Sequence, residues 1–278
     1  MHIRFSLLVV LGVGFLSAKS QYYYKDIVLV RQNQENWKLY LNQKVREINI
    51  SSIDANDELT PGFTCKQSIS PSSGSLVTYT KSSNIPASAL TAFYDGNGRL
   101  VKTVDTSDTY NSTTEYVYRL NGEINSLENI SVETDNHVSA TEKHIWQYEN
   151  GKPKQMLKIK GESDTTIVHF LLDDKGNIVE EKPVHGKQSL PSVYYYYDND
   201  SRLTDIVRYN QKGGRLLPDY IFEYNYDRIS SMLFVPAGST DYQKWFYSYH
   251  SNGLKEKETC FDKKKQVVVK ISYSYSFQ

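Results

Sequence analysis

Six histidines, two cysteines and a surplus of tyrosines are the residues of this 278-residue chain that could do chemistry. His2, His137, His144, His169, His185 and His250 are candidates for acid–base work or metal ligation, yet none stands at a recognised zinc spacing from another ligand. They read as strand-face histidines, so no catalytic residue and no metal ligand is assigned. The acidic turns Asp173-Asp174-Lys175-Gly176-Asn177 and Asp198-Asn199-Asp200 gather oxygen atoms but lack the spacing and terminal Glu of a calcium loop. Asp and Asn serve tight turns equally well. Gly-x-Ser-x-Gly elbows, P-loops and Rossmann glycine fingerprints are missing from the sequence, so it implies no cofactor.

Cys65 and Cys260 leave two readings open. In an oxidising compartment they can pair, tying the start of the mature domain to its last repeat; otherwise each is a small core residue. The aromatics offer a different chemistry, since tyrosine rings on a sheet face either form the core or stack on sugars and grip a partner. Tyr194, Tyr196 and Phe246 fall on the face opposite the main aromatic ladder and are the candidate ligand-binding residues.

The elements that must position these groups begin after a leader. His2 and Arg4 precede the apolar run Leu7 to Leu16, and Ala18-Lys19-Ser20 supplies small residues for cleavage, so residues 1–20 read as a secretory signal peptide with Gln21 as the first mature residue. No later run reaches the roughly 18 apolar residues of a transmembrane helix. The expected location is therefore outside the cytoplasm, in the periplasm, at the cell surface or beyond. Equal numbers of basic and acidic residues, 32 each, argue against a nucleic-acid partner, and Lys263-Lys264-Lys265 reads as a solvated hairpin tip.

Residues 21–87 read as an N-terminal cap and a loop-rich linker. Within them, Asp26 to Val30 is expected as a strand, Gln34 to Gln43 as a helical turn or second strand, and Val45 to Ile50 as a strand. From residue 88 to 278 one unit recurs. Tyr94, Tyr118, Tyr148, Leu172, Tyr197, Tyr224, Tyr249 and Tyr275 mark its copies about 25 residues apart, each but the last followed by a turn. Two positions earlier stand Ala92, Tyr116, Trp146, Phe170, Tyr195, Phe222, Tyr247 and Tyr273, on the same strand face. The copy at Tyr148 carries Lys152-Pro153 after its turn, which predicts an irregular or edge strand.

Phe93-Tyr94-Asp95-Gly96-Asn97-Gly98-Arg99-Leu100 and Tyr196-Tyr197-Asp198-Asn199-Asp200-Ser201-Arg202-Leu203 resemble the YD repeat of Rhs and teneurin-type surface proteins, and the chain is similar to small secreted YD-type proteins of Bacteroidetes. The resemblance implies a β-hairpin array, with about seven repeats too few to close the shell formed by the large relatives. The expected fold is all-β: antiparallel hairpins forming a large twisted or curled sheet, with a small N-terminal cap segment. The expected function is an exported, non-enzymatic module binding a protein or glycan; the alternatives are a structural envelope component and a loop-built hydrolase.

Overall fold

The computed structural model describes residues 21–278 apart from 84, 136, 211–213, 237–238 and 240. The proposed signal peptide lies outside the described residues. A π-helical turn, Tyr24–Val28, runs into helix α1, Leu29–Asn42. Among the described residues strands follow without further helix: β1 Val45–Ile53, β2 Thr64–Ser70, β3 Ser75–Ser82, β4 Ile85–Tyr94, β5 Leu100–Ser107, β6 Tyr110–Tyr118 and β7 Ile124–Glu133. Next come β8 Ser139–Glu149, β9 Lys152–Lys160, β10 Asp164–Leu172, β11 Ile178–His185, the two-residue β12 Gln188–Ser189 and β13 Val193–Tyr197. The chain ends with β14 Leu203–Asn210, β15 Arg215–Asn225, β16 Arg228–Phe234, β17 Gln243–Tyr249, β18 Lys255–Asp262 and β19 Val267–Phe277.

Each strand pairs antiparallel with the next, β11 reaching β13 past the short β12, and β19 pairs with β1. The sheet is therefore a closed barrel of 18 strands rather than an open, curled array. Backbone irregularities explain the closure. At every internal anchor one extra residue enters the return strand: Phe93 faces Lys102 while Tyr94 faces Leu100, and the same shift precedes Tyr118, Tyr148, Leu172, Tyr197, Tyr224 and Tyr249. Each bulge adds local twist and bend, and bends repeated around a sheet bring its edges together. Seven hairpin units, joined by β1–β3 and β19, suffice.

The residues expected as a cap do not cover an end of the array. Helix α1 and the turn before it lie inside the barrel, with Tyr22, Tyr24, Val30 and Trp37 buried against the wall. The Trp37 ring stacks on Tyr94 at 4.4 Å, and Tyr24 packs on Tyr220 and Phe222. Asp26 to Val30, whose β-branched residues suggest a strand, is helical because the lumen leaves no neighbouring strand to pair with and a helix satisfies its own amides. Lys44, at φ +56, ends it in the left-handed conformation, with its amide on the Leu41 carbonyl. Val45 to Ile50 is a strand as expected. The stretch expected to be loop-rich forms β2 and β3, with Thr64, Lys66 and Ser68 pointing outward while Cys65, Gln67 and Ile69 point inward, where Thr80 and Thr78 lie opposite Cys65 and Gln67. Pro153 does not mark an edge: it sits opposite Tyr148 at that hairpin's bulge, and β9 is paired on both sides.

Both aromatic columns face the lumen and form the core, together with Ile48, Leu100, Met156, Val168, Ile206 and Ile271. Burial of side chains this large contributes about 1.5–3 kcal/mol each. The outer wall is mixed: Val117, Ile130, Ile167, Leu171, Tyr196 and Phe246 are exposed on it among polar residues. Cross-strand ion pairs lie along it, Lys66 with Glu47 at 2.6 Å, Lys102 with Glu115 at 3.0 Å, Lys143 with Glu128 at 3.2 Å and Lys244 with Glu223 at 3.1 Å. Ser272, Ser274 and Ser276 face the same way on β19, opposite Ser51, Asn49 and Glu47 of β1. No helix among the described residues is long and apolar enough to cross a membrane, which leaves crossing by strands to be judged from this wall.

Candidate functional site

The anchor tyrosines are structural staples. Tyr118, Tyr148, Tyr197, Tyr224, Tyr249 and Tyr275 each donate their hydroxyl to a carbonyl of the preceding return strand, at Leu100, Ile124, Ile178, Leu203, Ile229 and Lys255 respectively, over 2.6–2.9 Å. The Asp after the anchor closes the turn. Asp95 accepts the amides of Asn97 and Arg99 and the Arg99 side chain, and Asp198 does the same with Asp200 and Arg202. Arg99 and Arg202 then cover Tyr118 and Tyr224, each with its guanidinium 5.1 Å from the ring. Asp173 holds its turn the same way, through the Asn177 amide and side chain. These acidic turns thus spend their oxygens on their own backbone.

Two polar clusters fasten the helix to the wall. In the first, Asp26 accepts from His144 Nδ1 at 2.7 Å and from the Trp146 indole at 3.2 Å. His144 Nε2 faces Glu142 at 3.0 Å, and Lys158 pairs with Glu142 at 3.1 Å. Burial works to lower the His144 pKa, but Asp26 and Glu142 outweigh it and hold the ring up at about 9. Glu142 moves the other way: burial is outweighed by His144 and Lys158, and its carboxyl falls to about 2. An imidazolium clamped between two carboxylates at neutral pH is neither a free base nor a partner to a nucleophile. Its chemistry is attachment.

In the second cluster, the fully buried Glu181 receives the consecutive amides of Gln21, Tyr22 and Tyr23 at 3.1, 3.1 and 2.5 Å, plus the Tyr195 hydroxyl at 2.7 Å. Three of the orphan amides at the helix start are satisfied by one carboxylate from β11. Burial pushes the Glu181 carboxyl up to about 7, against the pull of the Tyr195 hydroxyl and the Tyr23 and Tyr22 amides. Beside it the Gln21 side-chain amide donates to Asp219 at 2.6 Å, and Asp219 pairs with Arg208. Sequence reasoning missed both clusters, because the partners lie more than a hundred residues apart and Asp26 and Gln21 read as parts of an unremarkable cap.

Among the other histidines, His185 lies near Thr166 and Asp164, and His250 packs on Tyr275. His169 is exposed on the outer wall and His137 in a loop. Among the described residues no group of three or more His, Cys, Asp or Glu is placed to hold a metal ion.

Cys65 and Cys260 are both buried free thiols. Two strands, β1 and β19, separate them, so a bridge would have to span about 14 Å where disulfides need Cα atoms within about 7 Å. The disulfide reading is corrected to that of two core residues. Tyr194, Tyr196 and Phe246 do face outward, Tyr196 and Phe246 being the exposed pair. They form no single patch: four strand spacings, about 19 Å around the wall, separate β13 from β17. Phe246 is covered in part by Phe261, edge to face at 5.6 Å, and by Lys244.

The concavity of the molecule lies elsewhere. Between the exposed side of α1 and the wall runs a cavity of about 570 Å³, bordered by Arg31, Glu35 and Asn36 from the helix and by Tyr197, Tyr224 and Tyr249 from the strands. It reaches the barrel end that carries the anchor turns, where Arg202, Arg228 and Gly253 line it. Gly253 sits there at φ +93, a left-handed conformation that strains any residue with a Cβ.

No family model and no curated protein matches the chain. Among solved structures it is similar to a porin-like protein from Bacteroides uniformis, at 8% identity and a TM-score of 0.43, covering 84% of this chain and 98% of that one. The YD-repeat resemblance is corrected: no family model supports it, and the repeated Tyr-Asp hairpins belong to a barrel closed by the pairing of β1 with β19 rather than to an open repeat array.

Proposed function

We propose that this is an exported, non-enzymatic module of the cell envelope or extracellular space that works in water and takes a protein or glycan at one end of its barrel. The observation that carries the reading is the cavity between α1 and the wall, where aromatic rings, guanidinium groups and side-chain amides converge. The helix occupies the lumen and packs on the wall beside this cavity, which weighs against an open aqueous channel. The ion pairs on the wall weigh against burial in lipid, where a lysine near the bilayer midplane of a barrel costs about 2–4 kcal/mol.

A glycan array and a cell-surface pull-down with the chain from Gln21 test this, comparing Arg31→Ala/Asn36→Ala with Tyr194→Ala/Tyr196→Ala. Binding lost in the first variant and kept in the second supports the cavity, and the reverse moves the site to the outer wall. A structural component without a ligand is the second reading. It is favoured by the apolar row Ile145, Leu157, Ile167 and Val184, which face one another across β8 to β11 on the outside. Absence of binding in both assays, with self-association through that row, would select it.

A further inference from the structure

Gln21 sits in an unusual place for a residue in mid-chain. It is 2% exposed, its backbone nitrogen is 3.1 Å from the buried Glu181 carboxylate, and its side-chain amide is held by Asp219. It also has φ +76, a left-handed conformation that disfavours a side chain other than glycine. All three features change meaning if the chain is cut before this residue. The torsion φ needs a preceding carbonyl carbon, so a terminal Gln21 carries no such strain. The nitrogen facing Glu181 becomes an ammonium.

We infer that the mature α-amino group of Gln21 is a built-in part of the barrel interior, pairing as an ammonium with Glu181 and so coupling leader removal to the seating of the helix. This rests on the export reading. Hydrolysis of the Ser20–Gln21 bond by a signal peptidase consumes one water, leaving a carboxylate on Ser20 and an amine on Gln21 that takes up a proton. A positive charge then stands 3.1 Å from Glu181 Oε2 at the start of a helix whose following amides point at the same carboxylate. Before cleavage the same atom is a neutral amide and offers only a hydrogen bond. A buried carboxylate raised by desolvation is the partner that gains most from such a charge.

The arrangement also protects the terminus. An N-terminal Gln cyclises when its neutral amine attacks its own side-chain carbonyl carbon, forming the N–Cδ bond and expelling ammonia. Here the amine is held protonated by Glu181, and the Nε2 that would leave is held 2.6 Å from Asp219 Oδ2. The mature chain should keep an open Gln21.

The test compares the chain starting at Gln21 with one carrying a Gly-Ser extension before it, each with and without Glu181→Gln. The extended form should melt about 5–10 °C lower, and Glu181→Gln should lower the melting temperature of the Gln21 form far more than that of the extended form. Equal melting temperatures, or an equal effect of Glu181→Gln in both, would overturn the pairing; a steric effect of the extension alone gives that equal effect. If a Glu181 variant does not fold, labelling of the native Gln21 form with an amine-reactive reagent decides. Protection of the α-amine by 100-fold or more over an unfolded control is expected, and labelling at the unfolded rate contradicts the proposal. Intact mass of exported protein tests the cleavage step separately: an N-terminus at Gln21 without ammonia loss supports it, and a terminus elsewhere removes its premise while leaving the binding reading untouched.

Discussion

Asp26 Oδ2 lies 2.7 Å from His144 Nδ1, joining the internal helix to strand β8 of the wall that encloses it. The pair makes barrel stability depend on pH. His144 is raised to about 9 from its ordinary 6.5, so its contribution, up to about 3 kcal/mol, is complete below about pH 6.5 and drains away as pH rises through 9. Glu142, lowered to about 2, contributes fully above its ordinary 4.5 and is lost as pH falls through 2. Urea midpoints should therefore decline as pH rises from about 6.5 toward 9, beyond the loss that the raised Glu181 carboxyl contributes between about pH 4.5 and 7. His144→Gln should flatten that alkaline decline, and an unchanged slope in the variant would refute the assignment.

Removing one staple should cost little and cost it locally. Tyr224→Phe deletes the hydroxyl bonded to the Leu203 carbonyl while keeping the ring under Arg202, so the expected loss is about 0.5–1.5 kcal/mol in equilibrium unfolding. Tyr118→Phe, at a distant hairpin, should add to it independently. A loss of several kcal/mol at either site would mean the tyrosines do more than staple.

Trp37 tests whether the helix is integral to the barrel. It is nearly inaccessible and stacked on Tyr94, so Trp37→Ala should cost about 3–5 kcal/mol and lower the unfolding transition of the whole protein. Loss of helical signal in a separate, earlier transition would show instead a helix that leaves while the barrel stands.

The two cysteines should remain thiols after export. Denatured, unreduced protein should bind two equivalents of an alkylating reagent, and reductant should leave the melting temperature unchanged. Protein lacking both reactive thiols until reduced would contradict the strand order that holds them apart.

Much of the wall was legible because its signals are local. Asp95 to Arg99 states a turn in five residues, and alternation such as Ile271, Tyr273 and Tyr275 against Ser272, Ser274 and Ser276 states the faces of a strand. Closure is not local. It depends on the pairing of β1 with β19, from opposite ends of the chain, and on bulges that are backbone events without a residue signature. The helix was hidden by its own composition, since Ile27, Val28 and Val30 favour strands in isolation and only the enclosing lumen decides otherwise. The site suffered most: Asp26, His144, Glu181 and Gln21 are ordinary residues until the fold brings them together.

The most direct test of a plugged, water-facing barrel is partition of the chain from Gln21 between buffer and vesicles of bacterial outer-membrane lipid, followed by flotation. Protein recovered with the buffer, folded and without vesicle association, is the predicted result. Protein that floats with the vesicles and resists extraction by alkaline carbonate would place the charged wall in lipid and contradict the account.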